Sequence, residues 1–219
     1  MIEIVAKVGG SLCRGANLRA LCLLLAELGR EHRLLVVPGG GPFADTVRDC
    51  DGRYGLSDAA SHWMAILAMD QFGCLLSDLI PGSRPARGPD AARQIALSGR
   101  VPVLMPFDLL LSTDPLPHTW MVTSDSVSAW AAELVRAPRL VLLKSGEGLP
   151  DCMGRRAGPG GLPGMVTLEQ LARWEGVDPY LAVILAGSCL DLWIVNGNTP
   201  DRLKELIETG TTLGSRLQR

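Results

Sequence analysis

Lys7 stands two residues before Gly9-Gly10-Ser11, and a second glycine run, Gly39-Gly40-Gly41, follows Val36-Val37-Pro38. Glycines let bare backbone N–H groups approach an anion. A lysine ammonium beside such amides can bridge two phosphate oxygens as a point charge. These types at this spacing point to a site built around phosphate. Neither G-x-x-x-x-G-K-[ST] nor G-x-G-x-x-G occurs in the chain, which counts against P-loop and dinucleotide-binding folds. Lys144 follows Leu140-Val141-Leu142-Leu143 and precedes Ser145-Gly146. It therefore tips the C-terminal end of a strand, where ligands of α/β proteins gather. Asp125, within Thr123-Ser124-Asp125-Ser126, reads either as a helix cap or as a carboxylate that organises cations. His62 reads either as a core histidine or as a donor to a ligand's phosphate near a helix N-terminus. Its helical spacing puts Ile66 and Asp70 roughly on the same face.

Such residues need strands and helices to hold them. Residues 2–8 read as a buried strand ending at the first glycines. Asn17 can cap a helix through Arg30, with Leu18, Leu21, Leu24, Leu25 and Leu28 on one face. A strand at 34–37 and a helix at 43–49 complete a β-α-β-α opening, the pattern of a parallel sheet with helices on both faces. Further along, residues 58–79, 90–97, 126–135, 167–174 and 200–208 read as helices, and another starts at Asp178-Pro179. Residues 101–105, 140–144 and 190–195 read as strands. A Gly/Pro-rich break fills 81–89, a loop fills 112–118, and 146–164 reads as a long loop or mobile hairpin. The chain is expected to form one domain over 1–219, with two lobes parting near Thr119 as the alternative.

Composition sets outer bounds. Apolar residues make up 47% and charged residues 20%, as in ordinary globular proteins. A formal net charge of −2 gives no global support for a nucleic-acid partner. No apolar run approaches the roughly 18 residues of a membrane span, and no signal peptide is visible, so a cytoplasmic protein is expected. The six cysteines form no C-x-x-C or zinc pattern and are expected to be reduced.

Taken together, K-x-G-G-S at Lys7 to Ser11 and V-x-P-G-G-G-x-F-A from Val36 resemble the amino acid kinase superfamily. The order of later landmarks agrees: Thr123-Ser124-Asp125-Ser126, Leu142-Leu143-Lys144-Ser145 and Gly210-Thr211-Thr212. The resemblance implies a three-layer α/β/α sandwich around a mainly parallel sheet. It implies an acceptor-binding half at 1–118, an ATP-binding half at 119–219, Mg²⁺ and a homo-oligomer. It further implies that Lys7 touches the transferred phosphoryl group and that Gly9, Gly10, Ser11, Gly39, Gly40 and Gly41 bind phosphate. Asp125 would orient the lysines or the metal-bound phosphates, and Lys144 would lie near the nucleotide phosphates. No metal-ligating side chain is singled out.

Within the superfamily, a histidine on the third helix is a feature of kinases whose acceptor is a phosphorylated alcohol. The Ser61-His62 helix and Val177-Asp178-Pro179-Tyr180 are most similar to the methanofuran-biosynthesis group, which phosphorylates an aminomethylfuran-methyl phosphate. That acceptor carries an ammonium, for which Asp70 and Asp178 are candidates beside the plainer reading of caps or solvated charges. Arg14 is the only basic residue just beyond Ser11, whereas isopentenyl phosphate kinases often carry a second lysine there. Isoprenoid and carboxylate acceptors remain alternatives, as does a non-catalytic oxoanion-storage protein of the same fold. Residues 154–164 are richer in glycine and proline than a nucleotide-binding hairpin and read either as a lid or as a segment disordered without ligand.

Overall fold

The structure, a computed structural model, describes residues 1–147 and 164–218. The lid candidate at 154–164 therefore lies, apart from Gly164, outside the described residues, as does Cys152. Among the described residues Cys13, Cys22, Cys50, Cys74 and Cys189 are free thiols.

Strand β1 (Ile4–Val8) lies at the centre of an eight-stranded sheet. On one side it pairs with β2 (Leu34–Pro38), followed by β4 (Pro102–Leu104) and β3 (Arg84–Ala86) at the edge. On the other it pairs with β5 (Arg139–Lys144), followed by β7 (Asp191–Asn196), β8 (Ser215–Leu217) and β6 (Gly164–Val166). All pairings are parallel except β7 with β8. The chain thus leaves β1 first to one side and later to the other. That reversal makes a switch point, where the strand ends open a crevice.

Alternate strand residues feed two separate cores. Val5, Leu35, Val37, Leu140, Leu142, Leu192 and Ile194 face one, and Ile4, Ala6, Val8, Val36, Val141, Leu143 and Trp193 the other. Helices α1 (Leu18–Glu31) and α9 (Asp201–Thr209) cover the second face. Helices α4 (Pro89–Leu97), α5 (Pro106–Thr113), α6 (Ser124–Val135), α7 (Leu168–Arg173) and α8 (Tyr180–Ala186) cover the first. Helix α3 (Asp58–Leu79) contributes Ile66 and Met69 to one core and Phe72 and Leu76 to the other. A sheet buried on both faces is the three-layer sandwich that the sequence implied. No helix among the described residues is long and apolar enough to cross a membrane.

Several elements differ from the sequence reading, each for a local reason. Helix α2 runs over Gly41–Tyr54, beyond residue 49, and stops where Gly55 adopts φ 61°. The 81–89 break contains β3, whose Pro85 is tolerated because the strand is an edge. Residues 106–113 form α5 rather than a connection into a loop at 112. Asn17 occupies the α1 N-cap, yet its amide donates to the Asn198 carbonyl at 2.6 Å instead of capping.

The two glycine loops lock against each other. A short 3-10 turn, Gly10–Arg14, follows β1, and a Cβ on Gly10 would sit 2.2 Å from the Gly41 nitrogen. We therefore expect Gly10→Ala to destabilise the chain by about 1–3 kcal/mol through overpacking. Gly52, inside α2 with nothing near its absent Cβ, should gain about 0.5–1 kcal/mol as Gly52→Ala. Urea unfolding midpoints of the two variants measure both.

Candidate active site

The period of two along a strand aims Lys7 the same way as Val5, and Lys144 the same way as Leu140 and Leu142. Both lysines thus reach the face covered by α6. There Lys7 Nζ donates to Asp125 Oδ1 at 2.8 Å, and Lys144 Nζ to Asp125 Oδ2 at 2.6 Å. The Lys7 and Asp125 side chains are almost wholly buried, and Lys144 keeps 17% exposure. Burial alone would push Asp125 up, but the two ammonium groups outweigh it and hold its pKa down to about 2. Burial and the charge of Lys7 lower Lys144 to about 8, against the opposing pull of Asp125.

Asp125 is therefore no helix cap. The cap comes from Asp178, itself buried. Asp178 Oδ2 accepts from Thr123 N, Thr123 Oγ1 and Ser126 N at 3.0, 2.8 and 2.9 Å. Its Oδ1 accepts from Ser126 Oγ and Leu181 N, and its own N–H donates to Asp125 Oδ2. With all these donors engaged, Asp178 anchors the start of α6 and does not line the cavity.

That cavity, of about 350 Å³, opens over the ends of β1, β2 and β5. Lys7, Arg14, Arg48 and Lys144 line it, with Asp45 as the carboxylate among the described lining residues. Such a wall suits an anionic ligand. Gly9, Gly10, Ser11, Gly40 and Gly41 line it too. Two of the expected amides are already committed, since Gly9 N donates to Leu143 O and Gly39 N to Val8 O. First-turn amides have no partner within their helix. Those of Gly10, Ser11 and Gly41, with that of Gly40 just ahead of α2, are thus left for a ligand.

His62 lines the cavity from α3, and its imidazole makes no hydrogen bond to another described residue. Burial, then the neighbouring His118, hold its pKa below the usual imidazole value. Asp70 is not at the cavity. Its Oδ1 accepts from Phe107 N at 3.2 Å, at the start of α5, and burial raises its pKa. Neither Asp70 nor Asp178 is placed to meet a ligand's ammonium.

Sequence reading missed Asp45, Arg48 and Trp120. Arg14 and Arg48 both pair with Asp45, at 3.2 and 3.1 Å. The Arg48 guanidinium lies 5.1 Å from the centre of the Trp120 ring, whose N–H donates to Asp51 at 2.7 Å. Trp120 thus lines the cavity while packing against Ala44, Val47 and Ala68. A further signal lay in composition: of 21 basic residues only Lys7, Lys144 and Lys204 are lysines. Two of the three meet at one carboxylate.

A sequence model of the amino acid kinase family matches residues 3–160. The chain belongs to the amino acid kinase family. As a kinase it is a phosphotransferase. Over 209 residues it is 29% identical to the [5-(aminomethyl)furan-3-yl]methyl phosphate kinase of Methanocaldococcus jannaschii, covering 93% of this chain and 92% of that one. It is 26% identical to the uridylate kinase of Methanothrix thermoacetophila over 98% and 99% of the two lengths. Solved uridylate kinase structures share the fold across their whole lengths. The Archaeoglobus fulgidus enzyme gives a TM-score of 0.74 at 17% identity, and the Ureaplasma parvum UMP kinase 0.76 at 12%.

The lowered value of Lys144 has a direct readout in this lysine-poor kinase. NMR titration of the lysine side chains should show one of three ammonium groups losing its proton near pH 8. In Asp125→Asn that value should fall further, because the opposing carboxylate charge is gone. Between about pH 8 and the unfolded lysine value of about 10.4 the folded kinase binds fewer protons than the unfolded chain. This group's contribution to stability therefore rises with pH across that window. A Lys144 signal that titrates with Lys204 would contradict the geometry.

Proposed function

We propose that this kinase transfers the γ-phosphoryl group of ATP to the phosphate of a small phosphorylated alcohol, giving ADP and a diphosphate. The acceptor we propose is [5-(aminomethyl)furan-3-yl]methyl phosphate, an intermediate of methanofuran-type cofactor biosynthesis. The observation that carries this reading is a single cavity lined by Lys7, Lys144 and His62 together. Phosphoryl transfer asks little covalent chemistry of a protein. It asks for in-line positioning and for positive charge around the oxygens in transit.

In this reading an acceptor phosphate oxygen attacks the γ-phosphorus, a new P–O bond forms, and the bond to the β-phosphate oxygen breaks. Lys7 neutralises the equatorial oxygens of the moving group. Lys144 neutralises the nucleotide side, and Asp125 holds the two ammonium groups apart at fixed positions. The free amides of Gly10, Ser11 and Gly41 add donors. His62 donates to the acceptor's phosphate. Residues 1–118 then hold the acceptor and 119–219 the nucleotide.

The donor set fits a polyphosphate, being cationic and amide-rich. No group of three His, Cys, Asp or Glu able to hold a metal occurs among the described residues. A Mg²⁺ ion would thus be carried mainly by phosphates and water, where it neutralises charge on the nucleotide. For the acceptor's ammonium, Asp45 replaces the earlier candidates Asp70 and Asp178, because it is the carboxylate on the cavity wall.

The test is ³¹P NMR of products from ATP–Mg²⁺ and a panel of acceptors: the furan phosphate, UMP, isopentenyl phosphate and acetylglutamate. The furan phosphate should turn over with the highest kcat/KM. Lys7→Ala should lower kcat by about 100-fold or more. His62→Ala and Asp45→Asn should each raise the KM for the furan phosphate. ATP binding without transfer to any acceptor would favour the storage reading. Turnover of the carboxylate alone, indifferent to His62→Ala, would favour an amino acid kinase in the literal sense.

A further inference from the structure

One wall of the acceptor end is a stack of rings. The imidazoles of His62 and His118 lie 4.4 Å apart between centroids and 21° from parallel. Trp63 meets both edge-on, at 4.9 and 5.1 Å, and itself meets Phe107 edge-on at 6.2 Å. His118 is not among the residues lining the cavity; it stands behind His62. Its Nε2 lies 2.8 Å from Asp114 Oδ1. A carboxylate only accepts, so that nitrogen carries the hydrogen and the ring plane of His118 is fixed.

Asp114 ends α5 in the left-handed region at φ 41°. Residues other than glycine visit that region uncommonly, aspartate more readily than most. The helix end is thus shaped so that its last carboxylate meets His118 four residues on.

A functional imidazole is usually oriented by a hydrogen bond from its second nitrogen. His62 has no such bond to a described residue, so its orientation has another source. We infer that His118 is the positioning residue of His62: stacked against its face and tethered by Asp114, it holds the ring ready to meet the acceptor's phosphate. This rests on the role given to His62 in the proposed function. It adds a positioning pair, His118 and Asp114, that touches no substrate.

The test is steady-state kinetics with [5-(aminomethyl)furan-3-yl]methyl phosphate as the probe. His118→Ala should raise the acceptor KM by up to about tenfold, the ceiling for one ring–ring contact. Its kcat and its KM for ATP should stay within about twofold of wild type. His118→Phe, which keeps a stacking ring but loses the Asp114 bond, should recover part of the loss. In a His62→Ala background, His118→Ala should add less than about twofold, because the ring it positions is absent. Full multiplication of the two effects, or a His118→Phe as impaired as His118→Ala, would overturn the inference.

If His62→Ala leaves the acceptor KM unchanged, the functional role of His62 fails, and with it this inference. If the wild type does not use the probe at all, the positioning is read by NMR instead. The His62 ring-carbon proton, shifted by its ring neighbours, should move towards the unstacked value in His118→Ala and stay in His118→Phe. An unmoved resonance in His118→Ala would count against stacking.

Discussion

Asp125 sits between two lysines in the interior, and the rest of the structure is arranged around that fact. Three buried or nearly buried charges are tolerable only with fixed geometry and complete pairing. Adjacent parallel strands supply the lysines, each at a position the pleat turns towards α6. The first turn of α6 supplies the carboxylate, where the helix dipole also favours negative charge. Asp178 then pins that turn from a separate segment, through donors on Thr123 and Ser126. Stripping Asp125 of its charge would leave two ammonium groups facing each other out of water. A penalty of about 3–5 kcal/mol is usual for such a broken buried pair.

The same arrangement grades the charge along the cavity wall. Of the cations on the cavity wall, Arg14 and Arg48 are engaged by Asp45 at the more exposed end. Lys7 and Lys144 share one carboxylate at the deep end. The deep end carries more positive than negative contact charge, with low exposure to water to screen it. The shallow end carries mixed charge and a tryptophan, and the buried His62 face completes the wall. A ligand with one heavily charged end and one ring or cationic end matches that gradient.

Much of this was legible in the sequence, and what was not has identifiable causes. Lys7, Lys144 and the glycine runs stood out because each ends an apolar β-branched or leucine run, a local signal. The length of α3 was legible from its caps and apolar content. Asp125 could not be separated from a helix cap, because both readings use the same residue at the same position. Asp178, more than 50 residues further along the chain, decides between them. That the amides of Gly9 and Gly39 are already engaged was hidden for a similar reason. Their partners, Leu143 O and Val8 O, belong to neighbouring strands. Asp45 and Arg48 lie three apart on the helix read at 43–49, but nothing local marks that pair as facing a cavity. Strands β3 and β8 have three residues each, too few to show a period.

The contact between the two glycine turns has a consequence for how this kinase can diverge. Gly10 and Gly41 touch backbone to backbone, so neither turn can take on a side chain while the other stays put. They form one hereditary unit, fixed in shape, contributed by two distant stretches of chain. The ring stack on α3 and the mixed-charge rim carry no such mutual veto. Change can be explored there one substitution at a time, while the two glycine turns stay as they are.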